Sequence, residues 1–257
     1  MADYFATFLG TGTSQGIPVI GCECVVCQSI NSKDNRLRTS ILISLKNKNI
    51  VVDTGPDFRQ QMLSNQVKMV HAVLFTHEHK DHLAGLDDIR AYNFKSKKDM
   101  DVYATERVQE ALKREFSYVF SGISYPGLPK IELKLITDEV IEIFDETIVP
   151  INVMHYKLPV KGFRVRGLTY ITDANFISDV EKKKIVGTDI LVLNALRKEP
   201  HISHFTLDEA LELIEEIKPK KAYLTHLSHL MGTHEKVSKI LPPNVFIAYD
   251  GLKIEFE

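Results

Sequence analysis

Short runs of β-branched or alternating apolar residues, each closed by turn residues, recur along the chain. They lie at Phe5–Leu9, Ile41–Leu45, Ile50–Val52, Ala72–Phe75, Ile131–Ile136, Val140–Phe144 and Thr147–Val153, then at Gly162–Val165, Leu168–Ile171, Ile190–Leu193, Ala222–Leu224, Val245–Ala248 and Lys253–Phe256. Such runs predict strands, and many follow one another too closely for crossover helices, so hairpins must be common. Helical spacing of apolar residues appears at Leu83, Leu86 and Ile89, at Val108, Leu112 and Phe116, and most clearly at Leu207, Ala210, Leu211, Ile214 and Ile217. Thr206 is the expected N-cap of the last of these and Pro219 lies beyond its end. The pattern is that of two sheets with flanking helices, an α/β layered sandwich. No repeat and no linker divides it, so residues 1–257 read as a single domain.

Composition narrows the class. Of 257 residues, 44% are hydrophobic and 26% charged, which excludes disorder as the default. A net charge of −2 supplies no bulk positive field, so no stable nucleic-acid complex is expected. Met1 to Ala6 carries neither a basic stretch nor an apolar core of the signal-peptide kind, and no apolar run reaches a membrane span. The expectation is a soluble cytoplasmic protein without membrane contact. The three cysteines crowd into Cys22-Glu23-Cys24-Val25-Val26-Cys27, where a disulfide framework would need even and spread partners. Metal binding is the better reading of that cluster.

The densest chemistry lies in Thr76-His77-Glu78-His79-Lys80-Asp81-His82, where an apolar strand ends. Alternate side chains of an extended segment share a face, so His77 and His79 can aim at one point. Asp81 and His82 fall where a helix begins and can turn towards a second point nearby. Imidazole and carboxylate are ligands suited to Zn, Mn and Fe.

His77-x-His79-x-Asp81-His82, preceded by Ile50-Val51-Val52-Asp53-Thr54-Gly55, resembles the signature of the metallo-β-lactamase-fold hydrolases. Positions matching that family's later ligands occur at His155, at Asp173 in Tyr170-Ile171-Thr172-Asp173-Ala174, and at His226 in Tyr223-Leu224-Thr225-His226. The resemblance implies a four-layer αββα sandwich with two divalent catalytic metals, Zn or Mn, at one sheet edge. It implies that His77, His79 and His155 hold one metal, that Asp81, His82 and His226 hold the other, that Asp173 bridges them, and that Asp53 orients the site. Two such cations can share a water and lower its pKa, making metal-bound hydroxide the expected nucleophile.

A second constellation joins Cys22, Cys24 and Cys27 to His229, three residues beyond His226. Three thiolates and an imidazole complete a tetrahedral structural zinc site; free thiols are the alternative. Here the resemblance narrows to the subgroup related to the phosphodiesterase of bacterial phosphonate breakdown, which cleaves cyclic ribosyl phosphates. It implies a catalytic histidine at His204, with His201 a nearby competitor, and a homodimer. The expected role of His204 is to donate a proton to the leaving group or to clamp a developing oxyanion.

The remaining features carry less. Gly10, Gly12 and Gly16 lack dinucleotide-loop spacing and are followed by Pro18, so that segment reads as a loop shaping the site. His71, His201 and His234 read as solvated or capping residues. Asp87, Asp88, Arg90 and Asn93 read as a solvated helix face, with Arg90 a candidate phosphate contact. The lysines at 182–184 and at 218–221 read as surface. The leading expectation is a dinuclear metallohydrolase acting on a small cyclic or nucleotide-like phosphodiester. Its rivals are a tRNA 3′-processing-type nuclease, a thioester or lactone hydrolase, and a non-catalytic metal-stabilised module.

Overall fold

The computed structural model describes residues 3–122 and 125–257. Strands β1 (Tyr4–Gly10), β2 (Ser40–Leu45), β3 (Lys48–Val52), β4 (Ala72–Leu74), β5 (Met100–Ala104) and β6 (Ile131–Leu135) form one sheet. Strands β7 (Ile141–Ile143), β8 (Glu146–His155), β9 (Leu158–Val165), β10 (Leu168–Ile171), β11 (Ile190–Asn194), β12 (Lys221–Thr225) and β13 (Val245–Ile247) form the other, and β14 (Lys253–Glu255) returns to pair with β1. Each sheet is antiparallel on one side and parallel on the other: β3 to β6 run parallel in the first, and β10 to β13 in the second.

Strand alternation builds the layers. Along β2, Ile41 and Ile43 face the second sheet among Phe8, Val52, Leu74, Phe163, Val165, Tyr170 and Val192, while Leu42 faces outward. The outward face of the first sheet is covered by Phe58, Met62, Leu83, Leu86, Ile89, Val108 and Leu112. The outward face of the second receives Leu207, Ala210, Leu213, Ile214 and Ile217 against Leu191, Leu193 and Leu224. Residues of β11 split the same way, with Leu191 and Leu193 on the helix side and Ile190 and Val192 between the sheets. The result is a four-layer αββα sandwich.

Thr206 caps the Leu207–Ile217 helix, as its sequence predicts, and the structure adds a capping box with Glu209. Two local expectations are corrected and one strand goes unforeseen. The Leu83/Leu86/Ile89 periodicity is not one helix: Lys80–Leu83 is a single turn, Leu86–Ile89 is a 3₁₀ turn, and Arg90–Ser96 follows. Gly85 interrupts it because its backbone lies against Gly55, where a Cβ would meet the Gly55 carbonyl oxygen at 2.1 Å. Strand β5, Met-Asp-Val-Tyr-Ala, was hidden by its early Asp101, which sits beside solvent while Val102 is buried. Asn93, expected on a solvated face, is buried and donates to the carbonyls of Lys98 and Lys130. No helix among the described residues is long and apolar enough to cross a membrane.

Candidate metal centre

The site forms where parallel strands end, the usual place for ligand-binding loops in open α/β sheets. Three of its residues, Asp53 after β3, Asp173 after β10 and His226 after β12, take φ values of 65°, 56° and 55°. Left-handed backbone is uncommon outside glycine and is tolerated best by Asn, Asp and His; here it turns each side chain off its strand end towards the space between the sheets. Gly55 has a different reason: a Cβ there would lie 2.1 Å from the Asp81 carbonyl oxygen. Asp53-Thr54-Gly55 and the histidine motif are therefore packed backbone to backbone.

Asp173 sits at the centre. Its Oδ2 lies 3.4 Å from His82 Nε2 and 3.7 Å from His77 Nε2, and its Oδ1 lies 3.1 Å from His226 Nε2. Asp81 Oδ2 lies 3.3 Å from His82 Nε2 and 4.0 Å from His226 Nε2. Ligand atoms within 4.8 Å of one another group as Asp81, His82, Asp173 and His226; as His77, His79 and Asp173; and as His155, Asp173 and His204. His155 thus falls with His204, although its ring centroid is 5.2 Å from that of His79.

Neighbouring groups fix several rings. His82 Nδ1 donates to Asp53 Oδ2 at 2.7 Å, which leaves Nε2 free. His155 Nδ1 donates to the Ser203 carbonyl at 2.7 Å, with the same consequence. Asn194 clasps the loop after Asp173, accepting from the Ala174 amide at 2.8 Å and donating to its carbonyl at 2.9 Å. On the outer face, Glu78 pairs with Arg107 and Lys80 with Glu115, so alternate residues of the motif bind the Glu106–Glu115 helix.

The electrostatics follow from crowding. Burial pushes Asp173 upward, but the imidazoles of His226 and His82 outweigh it and hold the carboxyl well below the usual range. Burial pushes His82 down, but Asp173, Asp81 and Asp53 outweigh it and raise the ring. Burial raises Asp53, opposed by His82 and the Thr76 donors. His204 is pushed down to about 2, first by burial and then by His226.

The donor set fits divalent metal. His82 Nε2 and both ring nitrogens of His226 are buried without a hydrogen bond, although carboxylate oxygens lie 3.1 to 4.0 Å from the two Nε2 atoms. Buried polar atoms left unpaired are costly, and imidazole nitrogens converging with carboxylates are a donor set that suits a divalent cation. The cysteine cluster also assembles: the Sγ atoms of Cys22, Cys24 and Cys27 lie 3.3, 3.4 and 3.5 Å from His229 Nδ1. Backbone bonds join the glycine-bearing loop to the segment between His226 and His229, from Leu227 N to Thr11 O at 2.9 Å and from Thr13 N to Leu227 O at 3.0 Å.

His204 lies on the same wall, its ring stacked on His226 at 4.7 Å and tilted against His155 at 4.4 Å between centroids. His201 is one layer further out, 5.2 Å from His204. Arg90 is exposed and paired with Asp87 at 3.2 Å. Sequence reasoning missed Thr76, Asn194 and the Ser203 carbonyl. Thr76 had a signal, a hydroxyl directly before the first histidine; the other two act through a side chain or a carbonyl distant in sequence.

Residues 48–227 match the family described as beta-lactamase superfamily domain. The chain is 38% identical over 248 residues to an octanoyltransferase of Porphyromonas gingivalis, a match covering 95% of the chain and 50% of that protein, so it spans about half the length of that relative. Its fold superposes on a diphosphatase of the PhnP family with a TM-score of 0.93 and 38% identity, covering 99% of this chain and 98% of that one. The Zn²⁺-bound PqqB of Methylobacterium extorquens shares the fold at a TM-score of 0.80 and 18% identity, over 98% of this chain and all of that one. The chain belongs to the beta-lactamase superfamily, has the metallo-β-lactamase fold, and brings together His, Asp and Cys side chains in groups that could hold metal ions.

Proposed function

We propose that the protein is a metal-dependent phosphodiesterase that cleaves a small cyclic or nucleotide-like phosphodiester. The observation that carries this reading is the likeness to a diphosphatase at 38% identity over nearly the whole chain, together with a cluster in which Asp173 serves three sets of donors.

In this reading His77, His79 and His155 would hold one cation, Asp81, His82 and His226 would hold the second, and Asp173 would serve both. Bound cations there would supply Lewis-acid polarisation of the phosphoryl oxygens and lower the pKa of a water. The protein's own residues do the rest. Asp53 fixes the His82 tautomer and the Ser203 carbonyl fixes that of His155. His204, stacked on His226 beside the cluster, would offer a ring N–H to an oxygen of the substrate. Cys22, Cys24, Cys27 and His229 would hold a structural zinc, adding to the backbone bonds that tie the loop containing Thr11 and Thr13 to Leu227. The substrate is a small molecule, a setting in which a chain of net charge −2 needs no polyanion track. We further propose a cytoplasmic homodimer, to be checked by light scattering and by fractionation.

The test is a substrate panel on the metal-loaded protein, with a chelated control: bis-para-nitrophenyl phosphate, cyclic nucleotides, a dinucleoside diphosphate, an octanoyl thioester and a tRNA precursor. Metal-dependent turnover of the phosphodiesters supports the proposal. Turnover of the thioester alone would assign acyl chemistry, trimming of the precursor alone would assign a nuclease, and no turnover would leave a binding module.

A further inference from the structure

Asp53 is fully buried and accepts three hydrogen bonds: from the Thr76 amide to Oδ1 at 2.9 Å, from the Thr76 hydroxyl to Oδ2 at 2.7 Å, and from His82 Nδ1 to the same Oδ2 at 2.7 Å. The Thr76 hydroxyl also lies 2.9 Å from His77 Nδ1. A carboxylate only accepts, so the single hydroxyl proton of Thr76 points to Asp53. The bond to His77 then runs the other way: His77 Nδ1 carries the hydrogen and Thr76 Oγ1 accepts it. That places the His77 lone pair on Nε2, the atom 3.7 Å from Asp173 Oδ2. Thr76 is 1% exposed, so no bulk water competes for these bonds. Its carbonyl accepts from the Lys161 amide of β9 at 3.0 Å, which anchors it to the second sheet as well.

We propose that Thr76 is a positioning residue that extends the reach of Asp53 from one metal sub-site to the other, so that a single buried carboxylate sets the tautomers of both His82 and His77. The proposal rests on the metal assignment given above. Neither histidine can present its Nε2 lone pair unless its Nδ1 proton is accepted, and both protons are accepted by one connected group. Loss of the Thr76 hydroxyl should therefore release His77 while His82 keeps its direct bond to Asp53.

Thr76→Val keeps the shape and the amide bond to Asp53 but removes the acceptor facing His77. Thr76→Ser keeps the acceptor. Nitrogen-15 NMR of the chelated full-length protein reads the His77 tautomer directly, and competitive chelator titration with Zn²⁺ reads the sub-sites. The expected results are an Nδ1–H tautomer of His77 in the wild type and in Thr76→Ser, lost in Thr76→Val, and a drop of about 10–100-fold in the affinity of one Zn²⁺ equivalent in Thr76→Val alone. An Nε2–H tautomer of His77 in the wild type overturns the relay. Unchanged Zn²⁺ affinity in Thr76→Val, or an equal loss at both sub-sites, overturns the link between them. If the wild type takes up no Zn²⁺ in this cluster, the metal assignment fails, while the NMR result still decides the hydrogen-bond relay. Should Thr76→Val not fold, Thr76→Ala, which also lacks the acceptor, is titrated in its place with the same expected loss at one sub-site, and the wild-type tautomer still decides the relay.

Discussion

Replacing Asp53 by Asn changes almost no volume and removes one acceptor. The amide oxygen can keep the bond from the Thr76 N–H, but the amide nitrogen then stands where Oδ2 accepts from Thr76 Oγ1 and His82 Nδ1, each at 2.7 Å. Two donors would face two donors. Hydrogen bonds to a charged group contribute about 1.5–3 kcal/mol each, so leaving both unmade would cost about 3–6 kcal/mol. The protein can recover part of this. The hydroxyl can rotate, and His82 can shift its proton to Nε2, which points that proton at Asp81 and Asp173, 3.3 and 3.4 Å away. That shift removes the lone pair a cation needs. The expected net effect is a loss of about 10–100-fold in metal affinity, equivalent to about 1.4–2.8 kcal/mol, and a matching loss of turnover when metal is limiting. Chelator titration and turnover as a function of added Zn²⁺ measure it. Wild-type affinity and turnover in Asp53→Asn would refute the positioning role. A turnover defect that saturating metal does not relieve would move Asp53 into the chemistry itself.

Cys24→Ser should lose one zinc equivalent and lower the melting temperature, because structural metal binding is folding free energy; an unchanged metal count by elemental analysis would contradict it. His204→Ala should lower turnover about 10²–10⁴-fold at unchanged metal content. If His204 is a proton donor the loss shrinks for aryl phosphodiesters with good leaving groups, whereas a phosphate clamp gives equal losses; a loss in His201→Ala alone would shift the role by three residues. His234 is lowered to about 4 by burial and by Arg36 and Lys33, so the unfolded chain takes up its proton first on acidification. Its contribution is present above pH 6.5 and is lost as pH falls towards 4; His234→Gln should flatten the melting temperature over that window, and an unchanged slope would rule the contribution out.

Much of this molecule is legible in its sequence because alternation and turn residues carry the strands. Runs such as Ile41–Leu45 and Ile190–Leu193 are buried on both faces and stand out, whereas β5 alternates Asp101 and Tyr103 with buried residues and does not. The contiguous half of the site is equally plain, since His77, His79, Asp81 and His82 lie within six residues. His155, Asp173 and His226 are single residues at strand ends, recognisable through family resemblance; the structure shows the physical reason for two of them, a left-handed turn that brings each carboxylate or imidazole inward. The groups that orient the ligands were least visible. Ser203 acts through a carbonyl that any residue would supply, and Asn194 reaches a loop 20 positions away. The long helix foreseen after the motif failed at Gly85, whose packing on Gly55 depends on contacts that periodicity does not encode.

The most direct test of the account is anomalous scattering from crystals of the metal-loaded protein, recorded at the Zn and Mn edges. Two peaks about 3.5–4 Å apart beside Asp173 are expected, with a third among Cys22, Cys24, Cys27 and His229. Loading Asp173→Ala should leave the third peak and weaken or remove the pair. A histidine and aspartate cluster that stays without a peak at saturating metal, with the cysteine cluster filled, would contradict the central claim.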